Sequence, residues 1–216
     1  MPFRSREHAA HLLAERLAKY RGQNPLVLAI PRGAVPMGKI IADALGGELD
    51  VVLVHKLGAP GQPELAIGAI DENGHVYLSD YVRALEISSE YLAAEKEAQL
   101  VTLRERRATY TPLHPPCDSA GRIVIVVDNG VATGATLIAG LRAVRARKPA
   151  KLIAAVAVAP RETFKKIAAL ADEVVCLEAP EVFYAVGEFF EDFSQVTDEE
   201  VAAILRQSGA RVGIGK

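Results

Sequence analysis

Features of secreted, membrane-spanning and zinc-binding proteins are missing from this sequence of 216 residues. Its only cysteines, Cys117 and Cys176, are far apart and form no C-x-x-C pair, so the sequence predicts neither a disulfide framework nor a zinc site. No apolar run approaches the roughly 18 residues of a membrane-spanning helix. The N-terminus also lacks the apolar stretch of a signal peptide. We therefore expect a soluble protein of the reducing cytoplasm, without a membrane partner.

A strong charge of one sign is missing as well. The formal net charge is −2, whereas a dedicated nucleic-acid-binding domain is usually basic. Nucleic acid is therefore not an expected partner. Half of the residues are hydrophobic, which is enough for the core of one α/β domain of this length. We predict a single domain over residues 1–216.

Short apolar segments that do not alternate with polar residues are separated by helical patterns. Such strands are typical of a parallel sheet that is buried on both faces. The sequence thus predicts an α/β fold with a Rossmann-like parallel sheet flanked by helices. The predicted strands are 26–30, 49–58, 122–128, 151–160 and 172–180, and the predicted helices are 5–20, 37–47, 134–147, 161–170 and 197–207.

The region of about 64–118 interrupts this alternation. Asn73-Gly74 between two apolar segments predicts a β-hairpin, and residues 88–110 form a long helical pattern. Arginines late in that helix are explained by ion pairs with its glutamates, although a phosphate or a partner subunit is an alternative. We predict an inserted hairpin and long helix. The Pro- and Gly-rich residues 55–66 before it are predicted to be a mobile loop that closes over a ligand.

The segment "VVDNGVATGAT" (126–136) joins a buried strand to a helix. Gly130 and Gly134 allow sharp turns, and the N–H groups at the start of the helix can hold an anion. Asp128 can accept hydrogen bonds from two vicinal hydroxyls, so the loop suits a sugar phosphate. Its spacing matches neither a P-loop nor a dinucleotide-binding motif. An ordinary turn capped by threonine is the structural alternative.

This segment resembles the phosphoribosyl pyrophosphate (PRPP) motif of type I phosphoribosyltransferases. Further stretches, "LAIPRGAVPMG", "VHKLGAPGQPELAIGAI" and "FYAVGEFFEDFSQVTDEE", are similar to a bacterial group of predicted phosphoribosyltransferases, and the likeness covers nearly the whole chain. It implies the type I phosphoribosyltransferase fold, with a small C-terminal hood segment at about 179–196.

The resemblance assigns roles to the residues of the loop. The 5-phosphate would be bound by Ala132, Thr133, Gly134, Ala135 and Thr136. Asp128 and Asn129 stand where the family usually has two acids that contact the ribose, and Asp128 would also be the metal ligand. An amide at 129 can still bind hydroxyls but adds no second negative charge. Ala132 stands where purine-salvage members often have an acid that acts as a base, so this loop supplies none.

Two other segments are predicted to bind pyrophosphate. The resemblance makes "PRGA" (31–34) the pyrophosphate loop, often with a cis peptide that does not precede proline; Arg32 and Gly33 are its candidates. Lys56, at the predicted end of a strand at the same edge, is a further candidate for the pyrophosphate oxygens. The alternatives are a Pro-Gly turn with a solvated arginine and a surface lysine.

Most phenylalanines of the chain lie within 183–193. By the resemblance, Phe183, Val186 and Asp192, together with Gly187, would bind the base, and an aromatic ring could stack on a heterocycle. Ordinary core packing of these rings is the alternative.

The predicted function is a Mg²⁺-dependent transfer of the 5-phosphoribosyl group from PRPP to a nitrogen acceptor, in the manner of nucleotide salvage, with Asp128, Asn129, Arg32 and Lys56 at the reacting centre. Two other functions stay open at this point. One is a non-catalytic PRPP- or nucleotide-binding regulator, and the other is a hydrolase of PRPP or a nucleotide. The family tends towards dimers, so a homodimer is expected.

Overall fold

In the computed structural model, residues 2–79, 81–110, 112 and 117–212 are described, without the side chains of Glu64 and 209–212. Their strands, in chain order, are β1 (Leu26–Ala29), β2 (Glu48–Val51), β3 (Val54–Ala59), β4 (Gln62–Asp71), β5 (Val76–Leu78), β6 (Ile123–Asp128), β7 (Lys151–Val158) and β8 (Glu173–Glu178). Their helices are α1 (Arg6–Arg16), α2 (Val35–Leu45), α3 (Tyr81–Ala84), α4 (Ser89–Tyr110), α5 (Ala135–Ala146), α6 (Arg161–Ala168) and α7 (Asp198–Val212), with short 3-10 helices at Ala18–Tyr20 and Val186–Phe189.

The central sheet has five parallel strands in the order β2-β1-β6-β7-β8. Helices cover both of its faces, as the uninterrupted apolar strands predicted. Strand residues alternate between two cores: one contains side chains of α1, α2 and α7, and the other contains side chains of α5 and α6. The chain is an α/β protein with a parallel sheet flanked by helices.

A second sheet is antiparallel and has the order β3-β4-β5. The hairpin predicted at Asn73-Gly74 is confirmed. The Asp71 N–H donates to the His75 carbonyl, and Asp71 Oδ1 accepts from the Asn73 and His75 N–H groups. The long helix α4 packs on β3 and β4. Arg107, near its end, forms two hydrogen bonds of 2.6 and 2.7 Å with Glu72.

The predicted single strand over 49–58 is wrong. β2 ends at Val51 in the parallel sheet, and β3 begins at Val54 in the antiparallel sheet, earlier than the predicted start of the insertion at 64. The four residues Val51–Val54 are all buried. Because both sheets bury this apolar run, hydrophobicity gives no sign of where the chain leaves one sheet for the other.

Residues 55–66, predicted to be a loop, form the β3–β4 hairpin instead, and the closure of this segment over a ligand stays a prediction. Pro60-Gly61 is its turn, with Gly61 at φ 69°, and irregular pairing around Gly58 accommodates Pro63. Helix α4 fixes the hairpin, because the Gly58 N–H donates to Glu95 and its carbonyl accepts from the Tyr91 hydroxyl. Proline and glycine suggested a loop because strands usually exclude proline, and a bulge removes that restriction.

No helix in the described part of the chain has the length and apolar character needed to cross a membrane.

Candidate active site

Two short loops meet at the carboxyl edge of the central sheet. Residues 31–34 follow β1, residues 129–134 follow β6, and these strands are neighbours in the sheet. After β1 the chain forms β2, which pairs with one edge of β1, and it later returns as β6, which pairs with the other edge of β1. In open α/β sheets such a switch point forms a crevice at which ligands bind.

The first loop contains a cis peptide between Pro31 and Arg32, as the family resemblance implied. The Arg32 Nη1 atom lies 3.6 Å from Oδ2 of Asp198 at the start of α7. Asp198 Oδ1 in turn accepts a 2.9 Å hydrogen bond from the hydroxyl of Tyr110, which is the last residue of α4. Burial, reinforced by the Asp198 carboxylate, raises the pKa of Tyr110, so its hydroxyl remains a donor.

Gly33 is required for space rather than for an unusual backbone angle. Its φ is not in the left-handed region. A Cβ at this position would lie 2.6 Å from Nδ2 of Asn129 and 3.4 Å from Nε of Arg6. The absent side chain therefore lets the two loops approach each other, with Asn129 between them.

The second loop has the geometry of an anion-binding turn. Gly134 has φ 81°, a conformation that favours glycine, and it precedes α5 without a side-chain cap. The first N–H groups of α5 therefore point towards the loop, where they suit an anion. Thr133 Oγ1 accepts from the Ala135 N–H at 3.4 Å. Ala132 and Thr133 are exposed, and Thr136 is half-buried, so a ligand can reach them.

Asp128 ends β6 and is partly exposed at the crevice. Burial of its carboxyl raises the pKa to about 7, and hydrogen bonds from the backbone N–H groups of Asn129 and Gly130 only partly oppose this effect. A carboxyl that titrates near neutrality at a ligand crevice is typical of a functional site.

Lys56 is not at the end of a strand of the central sheet. It lies within β3, opposite Ala69 of β4, and is half-buried. The physical reason is the early exit of the chain into the second sheet. Lys56 therefore belongs to the hairpin beyond the carboxyl end of β2, and its contact with a ligand stays a prediction.

Comparison with known proteins agrees with this geometry. The family model for the phosphoribosyl transferase domain matches residues 4–193. The chain belongs to the phosphoribosyl transferase family. It is also 46% identical to TT1426 from Thermus thermophilus; that crystal structure matches with a TM-score of 0.83 over 97% of this chain and 100% of the other.

Two proteins of Mycobacterium tuberculosis, from strains CDC 1551 / Oshkosh and ATCC 25618 / H37Rv, carry names that provisionally assign them as phosphoribosyl transferases. Each is 41% identical to this chain over 204 residues, which is 94% of this chain and 46% of the relative. The chain thus spans about half the length of these curated relatives.

The residues predicted to bind a base lie in the hood segment. A Cβ at Gly130 would lie 2.6 Å from Cγ1 of Val186, so Val186 packs directly on the second loop. Phe183 stacks on Phe189 with ring centroids 5.5 Å apart. Asp192 is exposed and accepts from the Ser194 N–H in a turn. The base-binding role of these residues stays a prediction.

Sequence reasoning missed three residues at this phosphoribosyl transferase site. Thr163, 5% exposed at the start of α6, donates to the Ala132 carbonyl at 2.7 Å and holds the second loop in place. Its position just after β7 was the available signal, since that is the same edge of the sheet. Asp198 and Arg6 contact the first loop from distant parts of the chain, and no local pattern indicates this.

Magnesium was predicted with Asp128 as its protein ligand. Among the described residues, no group of three or more His, Cys, Asp or Glu side chains is arranged to hold a metal ion. One carboxylate beside an amide oxygen suits Mg²⁺ instead, because this ion usually binds one or two carboxylates together with substrate phosphates and water. The residues present therefore fit a magnesium ion that arrives with a phosphorylated substrate.

Proposed function

We propose that this protein transfers the 5-phosphoribosyl group of PRPP to a nitrogen acceptor and releases pyrophosphate. The observation that carries the proposal is the approach of the two loops at Gly33 and Asn129. PRPP has a phosphate at one end, a ribose in the middle and a diphosphate at the other. Its binding requires two anion sites with a hydroxyl-binding acid between them.

The second loop would bind the phosphoribosyl half of the substrate. The N–H groups at the start of α5 and the hydroxyls of Thr133 and Thr136 suit the 5-phosphate. Asp128 suits the ribose hydroxyls. Its carboxylate also stabilises the positive charge that develops on the ribose as pyrophosphate leaves. Asn129 can bind hydroxyls but does not contribute to this charge stabilisation.

The first loop would hold the leaving group. Arg32 supplies a fixed positive charge, and Gly33 beside it is partly exposed. Lys56 is a further candidate from the hairpin. Bound magnesium would neutralise negative charge on the diphosphate, with Asp128 as its protein ligand. No covalent nucleophile is required, because orientation and electrostatic stabilisation account for the chemistry.

The acceptor is proposed to be a nucleobase, which would make the reaction one of nucleotide salvage. Val186 packs on Gly130 of the phosphate loop, and Phe183 provides an aromatic face nearby in the hood. Asp192 offers a carboxylate that can accept from a ring N–H or an amino group. These features support a planar heterocycle beside the ribose site.

A homodimer forms part of the proposal. Five large hydrophobic residues of the second sheet, α3, α4 and their connections are exposed: Val76, Leu78, Tyr81, Leu85 and Val101. Large hydrophobic residues exposed in one region of the chain support a subunit interface there. Light scattering after gel filtration measures the mass directly, and a mass of about 23 kDa would contradict the dimer.

The test of the function is incubation of the purified protein with PRPP, Mg²⁺ and a panel of nucleobases, with pyrophosphate and nucleotide measured separately. Transfer predicts equal amounts of pyrophosphate and one new nucleotide, dependent on one base. Pyrophosphate release without a base would instead indicate hydrolysis. PRPP binding without turnover would indicate a regulator.

A further inference from the structure

Arg6 is a buried cation at the junction of the two loops. It is the first residue of α1, and its neighbouring segment is attached to the hood: the Phe3 N–H donates to the Phe189 carbonyl, and the Glu191 N–H donates to the Phe3 carbonyl. The residue is only 8% exposed. The hood therefore holds the start of α1 against the site.

The guanidinium of Arg6 is anchored on one side only. Nη1 donates a 2.6 Å hydrogen bond to the Ser194 carbonyl, and the guanidinium carbon lies 3.9 Å from the centre of the Phe193 ring. Nε is buried and has no hydrogen-bond partner among the residues that the structure describes. A buried donor without an acceptor is costly, so this atom calls for a partner.

The unpartnered side of Arg6 faces the candidate substrate site. Nε and Nη2 lie 3.4 and 3.5 Å from the position that a Cβ of Gly33 would occupy, and Nδ2 of Asn129 lies 2.6 Å from the same position. Burial lowers the pKa of Arg6, and the carboxylates of Glu7 and Asp192 only partly oppose this effect, without a close ion pair to Arg6 among the described residues. On the side of Gly33 the polar side chain beside Arg6 is the neutral amide of Asn129, so the positive charge has no carboxylate partner on that side.

We infer that Arg6 is a second arginine of the pyrophosphate subsite, donating from the Nε–Nη2 edge of its guanidinium to an oxygen of the diphosphate group that Arg32 also binds. Because Nε is buried, the Asn129 amide beside Gly33 must move aside to admit this oxygen. This inference rests on the proposed function for the identity of the anion. The neutral side chain of Asn129 is part of the same arrangement, because an aspartate at this position would pair with the Arg6 guanidinium and compete with the diphosphate. Arginine suits the role because its planar donors bind the Ser194 carbonyl and a phosphate oxygen at the same time.

The test compares two ligands in the full-length protein: inorganic pyrophosphate and ribose 5-phosphate, each measured by calorimetry and by the shift in melting temperature. In Arg6→Gln we expect the Kd for pyrophosphate to rise at least tenfold, about 1.4 kcal/mol. The Kd for ribose 5-phosphate should stay within twofold. Arg6→Lys keeps a cation but cannot satisfy both acceptors, so we expect a smaller loss that is still confined to pyrophosphate.

Arg16→Gln is the matched control, since Arg16 is an exposed arginine at the end of the same helix. It should bind both ligands as the parent protein does. Each melting shift is measured relative to the same variant without ligand, which separates binding from any loss of folding; should Arg6→Gln not fold, Arg6→Lys carries the test.

Several outcomes would overturn the inference. One is unchanged pyrophosphate binding in both Arg6 variants, another is an equal loss for both ligands, and a third is a parent protein that does not bind pyrophosphate. Failure of the proposed function has a different signature. In that case the Arg6 variants would lose pyrophosphate selectively, while the parent protein would form no nucleotide from PRPP with any base.

Discussion

The two loops of the candidate site are built in different ways. The loop after β6 carries its acid, its glycines and its threonines within residues 128–136. The loop after β1 has only Arg32 as a charged side chain and is completed by residues from elsewhere. Asn129 fills the space left by Gly33, and Arg6 lies alongside. Asp198, which accepts a hydrogen bond from Tyr110, pairs with Arg32.

This difference separates a site that a motif can describe from a site that only the fold assembles. A strand-to-helix turn binds phosphate through its own backbone, so its requirements fall on consecutive residues. A diphosphate has a higher charge and requires several cations, which a four-residue loop cannot supply alone. The following predictions test whether the two loops differ in this way, beginning with the largest expected effect.

Asp128→Asn, in the loop after β6, should reduce activity more than any other substitution considered below. We expect kcat/KM for PRPP to fall at least a hundredfold, roughly 2.7 kcal/mol, because the amide cannot stabilise positive charge on the ribose. Steady-state kinetics of pyrophosphate release measures the effect. A variant with parental kcat/KM would show that the carboxylate is not part of the reacting centre.

The same substitution should stabilise the protein above neutral pH. Because burial raises the pKa of Asp128 from 3.8 to about 7, the folded state binds more protons than the unfolded state between these values. The contribution of this group to stability therefore falls as pH rises through that window and is constant above it. Asp128→Asn should match the parent melting temperature near pH 4 and exceed it by several degrees at pH 8. The raised pKa corresponds to at most about 4 kcal/mol, and solvent screening of this partly exposed residue reduces that value. Equal curves at both pH values would contradict the raised pKa.

Gly33→Ala should separate the two loops. The new Cβ would meet Asn129 Nδ2 at 2.6 Å, and since this atom is at the end of a flexible side chain, the protein should fold with Asn129 displaced. We expect affinity for pyrophosphate to fall about tenfold, or 1.4 kcal/mol. Gly140→Ala is the control, because its Cβ would meet only ordinary contacts, the nearest at 3.6 Å, inside helix α5. Equal binding by both variants would contradict the close approach of the loops.

The difference between local motifs and contacts that only the fold creates also explains which features could be predicted from the sequence. Apolar strands, helix ends and the Asn73-Gly74 turn are local signals, so the central sheet and one hairpin were predictable. The exit of the chain at Val52 was not, because both sheets bury the same residue types. The family resemblance indicated Gly33 as a site residue, but the reason for glycine there is the close approach of a distant amide, which the sequence does not show. Arg6 lies 26 positions from Arg32 in an ordinary helical pattern, so only the folded chain indicates its role.

Asn129→Asp tests whether the absence of a second acid limits the rate of transfer. From the motif alone, a rise in transfer rate of tenfold or more would indicate a lost charge, and a change of a few-fold would indicate tolerance. Because Arg6 lies beside this position, we expect the new carboxylate to pair with the guanidinium and to weaken pyrophosphate binding three- to tenfold, about 0.7–1.4 kcal/mol. The loss should shrink when Asn129→Asp is combined with Arg6→Gln, as expected for coupled neighbours. A tenfold faster transfer would contradict this expectation.

Asp198→Asn should have the smallest effect, and in the opposite direction. Asp198 pairs with Arg32 at 3.6 Å, and both side chains are partly exposed, so the pair contributes at most about 1 kcal/mol. Pyrophosphate must compete with this carboxylate for the guanidinium. Removal of its charge should therefore tighten pyrophosphate binding two- to fivefold in calorimetry, while Tyr110 keeps an oxygen acceptor at position 198. Glu199→Gln removes the same charge from the first turn of α7 without touching Arg32 and should leave the affinity unchanged. Weaker binding in Asp198→Asn would show instead that Asp198 orients Arg32 for the substrate, which would make the first loop dependent on one more distant residue.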